Sequence, residues 1–231
     1  MANLRLSIIV PVFNERATIA AVLARIRAVP LTGVEREIVL VDDGSTDGTR
    51  EIIAGLAAAD LQVILQPENR GKGAAVRTGL AAATGDYVLI QDADLEYDPA
   101  DYATLLAPVA AGAECVYGSR FLAGAARRMT PVTAAANRFL TGVTRLLYGL
   151  RLTDMETCYK LVRTDLLRAA RLKADGFDIE PEITAKLAKR GVEIREVAVR
   201  YAARTRAEGK KIGWRDGTQA LWTLLKYRFV D

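Results

Sequence analysis

Three acids stand at alternate positions at the end of an apolar run, Val88-Leu89-Ile90-Gln91-Asp92-Ala93-Asp94-Leu95-Glu96. Alternation places Asp92, Asp94 and Glu96 on one side of an extended segment. Like charges so close repel one another, and a divalent cation with oxygen preference, Mg²⁺ or Mn²⁺, would hold them together. A second apolar run, Ile38 to Val41, also ends in acids, Asp42 and Asp43, and continues as Gly44-Ser45-Thr46-Asp47-Gly48-Thr49. Small polar residues of this kind are ordinary turn formers. Two such strand ends together read as a site for a metal-bound nucleotide diphosphate.

What is missing narrows the chemistry. The chain has no histidine, which excludes Ser-His-Asp and Cys-His catalysis, histidine zinc sites and imidazole bases. Carboxylates, Lys, Arg, Tyr, backbone groups or a metal must do the work. Asn69-Arg70-Gly71-Lys72-Gly73 is not a P-loop, because no Ser or Thr follows Lys72, and no G-x-G-x-x-G follows the first strand. Cys115 and Cys158 lie in apolar surroundings and are expected as buried, reduced thiols.

The elements that must position these residues alternate. Strands are expected at Arg5–Val12, Glu37–Val41, Gln62–Leu65, Tyr87–Gln91 and Cys115–Gly118. Helices are expected at Glu15–Val29, Asp47–Ala58, Gly73–Ala83 and Pro99–Ala111. This is a doubly wound α/β layout with a parallel sheet. Ligands of such sheets sit at the carboxyl ends of the strands, so Asn14-Glu15, Asp42-Asp43, Asp92-Asp94-Glu96 and Ser119-Arg120 should converge on one edge. Beyond position 120 the pattern predicts a helix from Pro131, a strand at Cys158–Val162, a helix at Glu182–Arg190, a strand at Val192–Tyr201 and a last helix at Trp214–Phe229. Arg204–Gly213 is basic and without period, so a mobile loop is expected. The 231 residues, 51% apolar and 26% charged, suit one globular domain. Its 1–120 half would bind the nucleotide and its 121–231 half the acceptor.

In this order the motifs resemble the nucleotide-diphospho-sugar transferases of the GT-A fold, in the inverting glycosyltransferase family 2. The matching pieces are Pro11-Val12-Phe13-Asn14-Glu15, Val41 to Thr49, Asn69 to Gly73 and Asp92-Ala93-Asp94. Thr153-Asp154-Met155-Glu156-Thr157-Cys158-Tyr159-Lys160, Glu180 to Lys186, and Arg204 with Gly209 to Ile212 look like the polyprenyl-phosphate branch, the dolichyl-phosphate mannose and glucose synthases. The resemblance implies inverting transfer of a hexose from a UDP- or GDP-sugar to polyprenyl phosphate. Asp94 would be the nearest metal ligand, supported by Asp92 and Glu96.

Residue chemistry agrees with that implication. Pro11, Asn14 and Glu15 end the first strand where a base or ribose can be bound, and Asp43 can accept from ribose or base. Asp47 is equally a helix cap. Gly71 and Gly73 permit close backbone approach, and Lys72 could neutralise phosphate. Arg204 and Lys211 would close over the diphosphate. A phosphate monoester acceptor needs cations more than a base, since its second pKa is about 6. Arg120 is the first candidate, with Arg127, Arg128 or Arg138 as a second. Asp154 would contact the sugar, orient the acceptor or cap a strand. Transfer to a hydroxyl would instead need a base, with Asp154, Glu180 and Glu182 as candidates. A haloacid-type phosphatase with Asp92 as nucleophile fits poorly, because Glu96 stands where Thr or Val is preferred. A non-catalytic nucleotide-sugar-binding scaffold is the remaining alternative.

Charge is unevenly spread. Arg120–Arg151 holds six Arg and no acid, and Arg200–Arg228 carries a net +6, which leaves the rest of this +4 chain at −8. Basic segments without acids suit a phosphate-bearing or membrane-surface partner; nothing in the motifs points to nucleic acid. No apolar run reaches membrane-span length and the amino terminus has no signal-peptide pattern, so a cytoplasmic protein at the membrane face is expected. Leu146, Leu147 and Leu150, and Trp214, Leu221, Trp222 and Leu225, form helical apolar stripes. They would meet lipid, the domain core or a second copy of the chain.

Overall fold

The structure, a computed structural model, describes residues 4–56, 58–122, 124, 129–204 and 213–230. Seven strands form one sheet among these residues: β1 (Leu4–Val12), β2 (Val34–Asp42), β3 (Leu61–Leu65), β4 (Tyr87–Ile90), β5 (Cys115–Ser119), β6 (Lys160–Arg163) and β7 (Arg195–Ala198). Their spatial order is β3-β2-β1-β4-β6-β5-β7. The helices are α1 (Ile19–Ala28), α2 (Thr49–Ala54), α3 (Lys72–Ala82), α4 (Tyr102–Ala110), α5 (Pro131–Tyr148), α6 (Thr164–Ala169), α7 (Ile179–Lys189) and α8 (Trp214–Phe229).

β1 runs parallel to β2 on one side and to β4 on the other. The order therefore reverses at β1, and the crevice of such a sheet opens where its strands end, at Val12 and Ile90. Leu6, Ile8, Ile9 and Val10 are fully buried, as a central strand covered on both faces requires. The sheet is mostly parallel. β6 pairs antiparallel with both β4 and β5. The segment before it carries Asp154 beside Arg120, at the end of β5. A chain that leaves that edge has to run back along the sheet.

Several expected boundaries move for local reasons. α1 begins later than Glu15, because Asn14 has φ 51° and the Thr18 amide donates to the Glu15 carbonyl in a turn. α2 waits for Thr49, whose amide and hydroxyl both donate to Asp47, and Gly48 has φ 96°. The strand expected over Val192–Tyr201 shrinks to β7, since the Arg200 amide leaves the sheet for Asp101. α6, six residues long, is too short to show a helical period.

α5 starts at Thr130, whose hydroxyl accepts the Thr133 amide, and stops at Gly149 in the left-handed region. It packs on α8 around Leu140, Met155, Ala220 and Leu224, with Val143, Leu147 and Leu221 alongside. Leu147 and Leu221 of the expected stripes thus turn inward, and Leu150 packs on the main core. Val132, Phe139 and Leu146 of α5, and Trp214, Trp222 and Phe229 of α8, stay 60–85% exposed. Among the described residues no helix is long and apolar enough to cross a membrane.

Candidate functional site

The sheet edge is built from the ends of β1, β2 and β4. Just beyond β4, the Gln91 side chain accepts the hydroxyls of Tyr102 and Tyr159 at 2.8 and 2.7 Å, which fixes the chain before the acids. Asp92 Oδ1 then meets Lys72 Nζ at 2.8 Å. Burial alone would raise the Asp92 carboxyl, but Lys72 holds it below the usual range. Asp94 Oδ1 accepts the Glu96 amide at 3.0 Å, and its Oδ2 lies 3.1 Å from Arg204 Nη2. Burial, with the charges of Asp92 and Glu96, pushes the Asp94 carboxyl up to about 7. Glu96 accepts the Tyr201 hydroxyl and the Arg204 amide, both at 2.7 Å.

The expected three-acid ligand set is therefore not gathered; among the described residues no group of three acids is placed to share a metal ion. Each acid has found its own partner, because the alternation needed an extended segment and Leu95, at φ 63°, breaks it. Asp94 still suits a divalent cation. It is a hard oxygen donor under like-charge pressure from two neighbours, and added positive charge would relieve that pressure.

Glu15 faces Asp94 across the crevice. Its two oxygens accept Arg204 Nη1 and Nη2 at 3.0 and 2.8 Å. Burial works against the Arg204 charge, yet Glu15 and Asp94 keep it firmly protonated. Thr18 Oγ1 donates to the Ala93 carbonyl at 2.7 Å and ties the first turn to the acid segment. Asn14 braces the β2 loop, with its amide on Ser45 Oγ and its Oδ1 on the Thr46 amide. Pro11 pairs with Val41 in the sheet, half-buried at the same edge.

Four expected donor-site residues act first on the protein itself. Asp43 accepts the amides of Arg70 and Gly71 at 2.9 and 2.8 Å and is 2% exposed; it shapes the loop and has little surface left for a ribose. Burial raises its pKa in spite of those amides. Gly71 and Gly73 do allow a close approach, but the backbone that approaches is the chain's own. A Cβ on either would strike the carbonyls of Asp175 or Ala174. Lys72, expected on phosphate, sits between Asp92 and Glu180, whose Oε1 lies 3.0 Å from its Nζ. Burial disfavours its charge, and Asp92 and Glu180 restore it.

On the acceptor side Arg120 is not an open cation. Its Nε and Nη2 both donate to Asp154 at 2.7 Å, its amide donates to Asp154 as well, and its guanidinium lies 5.2 Å over the Tyr201 ring. Arg120 is 6% and Asp154 0% exposed. Asp154 is in turn placed by Glu196, which accepts the amides of Thr153 and Asp154. Arg138 stacks on Phe121. Arg127, Arg128 and Lys211 lie outside the described residues, as does most of the basic loop.

The carboxylates expected as bases are also engaged. Glu180 holds Lys72 and Lys160, and Glu182 holds Lys186 and the amides of Lys173 and Ala174. Sequence reasoning passed over Glu156 inside its motif. Its Oε1 is buried with no hydrogen-bond partner, and burial pushes the carboxyl up to about 7. Tyr97, Tyr201 and Gln91 were missed too, since nothing in their local spacing marks them.

The comparisons agree with this architecture. The model for "Glycosyl transferase family 2" matches residues 7–169. Glycosyltransferase AglJ of Haloferax volcanii is 32% identical over 198 residues, 85% of this chain and 63% of its own length. Polyprenol monophosphomannose synthase of Mycolicibacterium smegmatis is 30% identical over 224 residues, covering 90% of this chain and 82% of its own. The chain thus spans less than two thirds of the archaeal relative. Glucosyl-3-phosphoglycerate synthase of Mycobacterium tuberculosis, solved with Mn²⁺, UDP-glucose and phosphoglyceric acid, superposes with a TM-score of 0.73 at 25% identity, over 100% of this chain and 81% of that one. A mostly parallel seven-stranded sheet with its acids at one edge is the GT-A glycosyltransferase fold. The chain belongs to glycosyl transferase family 2.

Proposed function

We propose that this chain transfers a hexose, glucose or mannose, from a nucleotide diphosphate sugar to polyprenyl phosphate, with inversion and with a divalent cation beside Asp94. The observation that carries the reading is Asp94 itself, a partly buried carboxyl at the β1–β4 crevice that lies 3.1 Å from Arg204 and under like-charge pressure. The relative named for polyprenol monophosphomannose synthesis supports the acceptor, and the neighbour solved with Mn²⁺ and UDP-glucose supports the donor and the metal.

Asp94 would hold the cation, which when bound would neutralise charge on the departing nucleotide diphosphate. Arg204 already stands at that point. It would turn from Glu15 and Asp94 towards the diphosphate as the donor enters. Asn14 and the Ser45–Thr46 loop fix the floor for the nucleoside. The Arg120–Asp154 pair would form the acceptor side as one fixed unit, its charges balanced within the pair. A phosphate monoester ionises with a second pKa of about 6, so the acceptor oxygen is already a nucleophile at neutral pH. The rate should follow that ionisation. The apolar faces of α5 and α8 would bring the enzyme to the lipid surface where this acceptor resides.

The deciding experiment incubates a panel of UDP- and GDP-hexoses with Mn²⁺ or Mg²⁺ and a short polyprenyl phosphate, and reads lipid-linked product by mass. Asp94→Asn should lose product while keeping its melt. A folded Asp94→Asn protein of full activity, or a simple sugar alcohol that reacts as fast as polyprenyl phosphate, refutes the reading.

A further inference from the structure

Four charged side chains, from three elements and the loop after β4, form a line into the crevice. Lys160 Nζ, at the start of β6, lies 2.6 Å from Glu180 Oε2. Glu180, in the first turn of α7, places Oε1 3.0 Å from Lys72 Nζ. Lys72, at the start of α3, reaches Asp92 Oδ1 at 2.8 Å. The signs alternate along the line. The side chains of Lys160, Glu180 and Lys72 are 0%, 6% and 12% exposed. Lys160 is held further by the carbonyls of Met155 and Thr157. It is therefore registered against the same loop that carries Asp154 and the Arg120 pair.

Packing alone does not call for such a line. Burying several charges costs more than burying apolar groups of the same size, and such networks are weak contributors to stability. Its end point is informative. Asp92 is the acid next to the crevice whose charge is already balanced, while Asp94, two residues on, faces the crevice with its oxygen toward Arg204. A lysine tethered at one end only could swing away from Asp92. Glu180 prevents this because it holds Lys72 from the opposite side and is itself held by Lys160.

We propose that Glu180, backed by Lys160, is a positioning residue of the donor site: it fixes the Lys72 ammonium against Asp92, so that the chain's own cation balances Asp92 and Asp94 alone is left to face the metal-diphosphate. The proposal rests on the donor reading given above. Mutating the groups behind a metal ligand that set its surroundings lowers metal affinity or activity by roughly 10- to 100-fold. Glu180→Gln should weaken binding within that range.

The test measures Mn²⁺-dependent binding of UDP and of GDP by calorimetry, together with donor KM and polyprenyl phosphate KM. Glu180→Gln should weaken nucleotide binding about tenfold or more and raise donor KM, with acceptor KM unchanged. Glu180→Asp should recover part of the loss. Glu180→Gln strands the buried Lys160 ammonium, while Lys72 keeps Asp92, so Lys160→Met/Glu180→Gln is made as well; it should restore the melt yet keep the donor defect. In a Lys72→Met background Glu180→Gln should add nothing further to donor binding, because its effect passes through Lys72. Wild-type nucleotide binding in a folded Glu180→Gln or double variant overturns the proposal. So does a donor defect that disappears when the melt is restored. A wild-type protein that binds neither UDP nor GDP with Mn²⁺ overturns the donor reading, and the positioning role falls with it.

Discussion

Arg204 Nη2 and Asp94 Oδ2 stand 3.1 Å apart across the crevice, and the same guanidinium is clamped by both oxygens of Glu15. A fixed positive charge thus occupies the approach to the one carboxylate that suits a metal. Without donor, Arg204 and a divalent cation compete for Asp94. With donor, the diphosphate offers Arg204 an alternative partner of higher charge.

Arg204→Ala should therefore strengthen binding of Mn²⁺ alone, by roughly tenfold for about 1.4 kcal/mol of relieved repulsion. Sugar transfer should fall, since the side chain no longer meets the diphosphate. Calorimetry without nucleotide reads the first effect and product formation the second. Unchanged Mn²⁺ affinity in the variant would show that Arg204 does not compete at Asp94.

Asp154→Asn should unfold the acceptor half more readily. It leaves Arg120 buried with half its hydrogen bonds and no counter-charge, a change that costs about 3–5 kcal/mol for buried pairs. Replacing both partners, as Arg120→Met/Asp154→Leu, should recover most of the stability while transfer stays lost. Urea melts of the single and double variants test this. A single variant with wild-type stability contradicts the reading of the pair as one unit.

The acid segment and the loop after β2 were legible because their meaning is local. An apolar strand that runs into acids announces a strand end in a parallel sheet, and the sheet brings such ends together whatever the loops do. What Asp92, Glu96 and Glu15 bind was not legible, because their partners come from far along the chain. Tyr201 lies 105 residues from Glu96, and Arg204 lies 189 from Glu15. Arg120 read as an open cation for the same reason: the acid that claims it is 34 residues away, beyond a helix. The antiparallel direction of β6 was not legible, since its apolar run carries no mark of direction. Gly71 and Gly73 were rightly taken as places of close approach, but nothing local says that a loop, rather than a phosphate, comes near.

Glu156 makes a prediction of sign. Its folded carboxyl sits at about 7, raised by burial above its ordinary 4.5. A raised acid favours the fold while protonated, so the wild type loses stability as pH climbs from about 4.5 through 7 and stays reduced above. Lys160 and Arg120 oppose that rise, and Glu180 and Asp154 add to it. Glu156→Gln has no such dependence. Its melting temperature should match the wild type near about pH 4.5 and exceed it at about pH 8, with the gap opening between. A gap that is constant or closes with rising pH would contradict the buried, unpartnered placement of Glu156 Oε1.

The exposed faces of α5 and α8 should dock on an anionic membrane. Val132, Phe139 and Leu146 recur every seven residues, which keeps them on one side of α5, and all three are at least 60% exposed. Trp222 and Phe229 stand out likewise on α8, and the two helices pack together around Leu140 and Leu224. Arg138, Arg145, Arg215, Lys226 and Arg228 lie on the same two helices. Apolar residues of this size among cations match a lipid interface, where Trp is favoured and Arg meets anionic headgroups. Each cation near such a surface contributes about 1 kcal/mol, screened by salt. Cosedimentation with phosphatidylserine-containing liposomes should therefore fall as salt rises, and Phe139→Ser/Trp222→Ser should lose binding at every salt concentration. The same variant should keep its turnover on a short, water-soluble polyprenyl phosphate, because neither side chain belongs to the crevice. Full binding by the variant, or equal binding to neutral and anionic liposomes, would leave the two stripes without a membrane role.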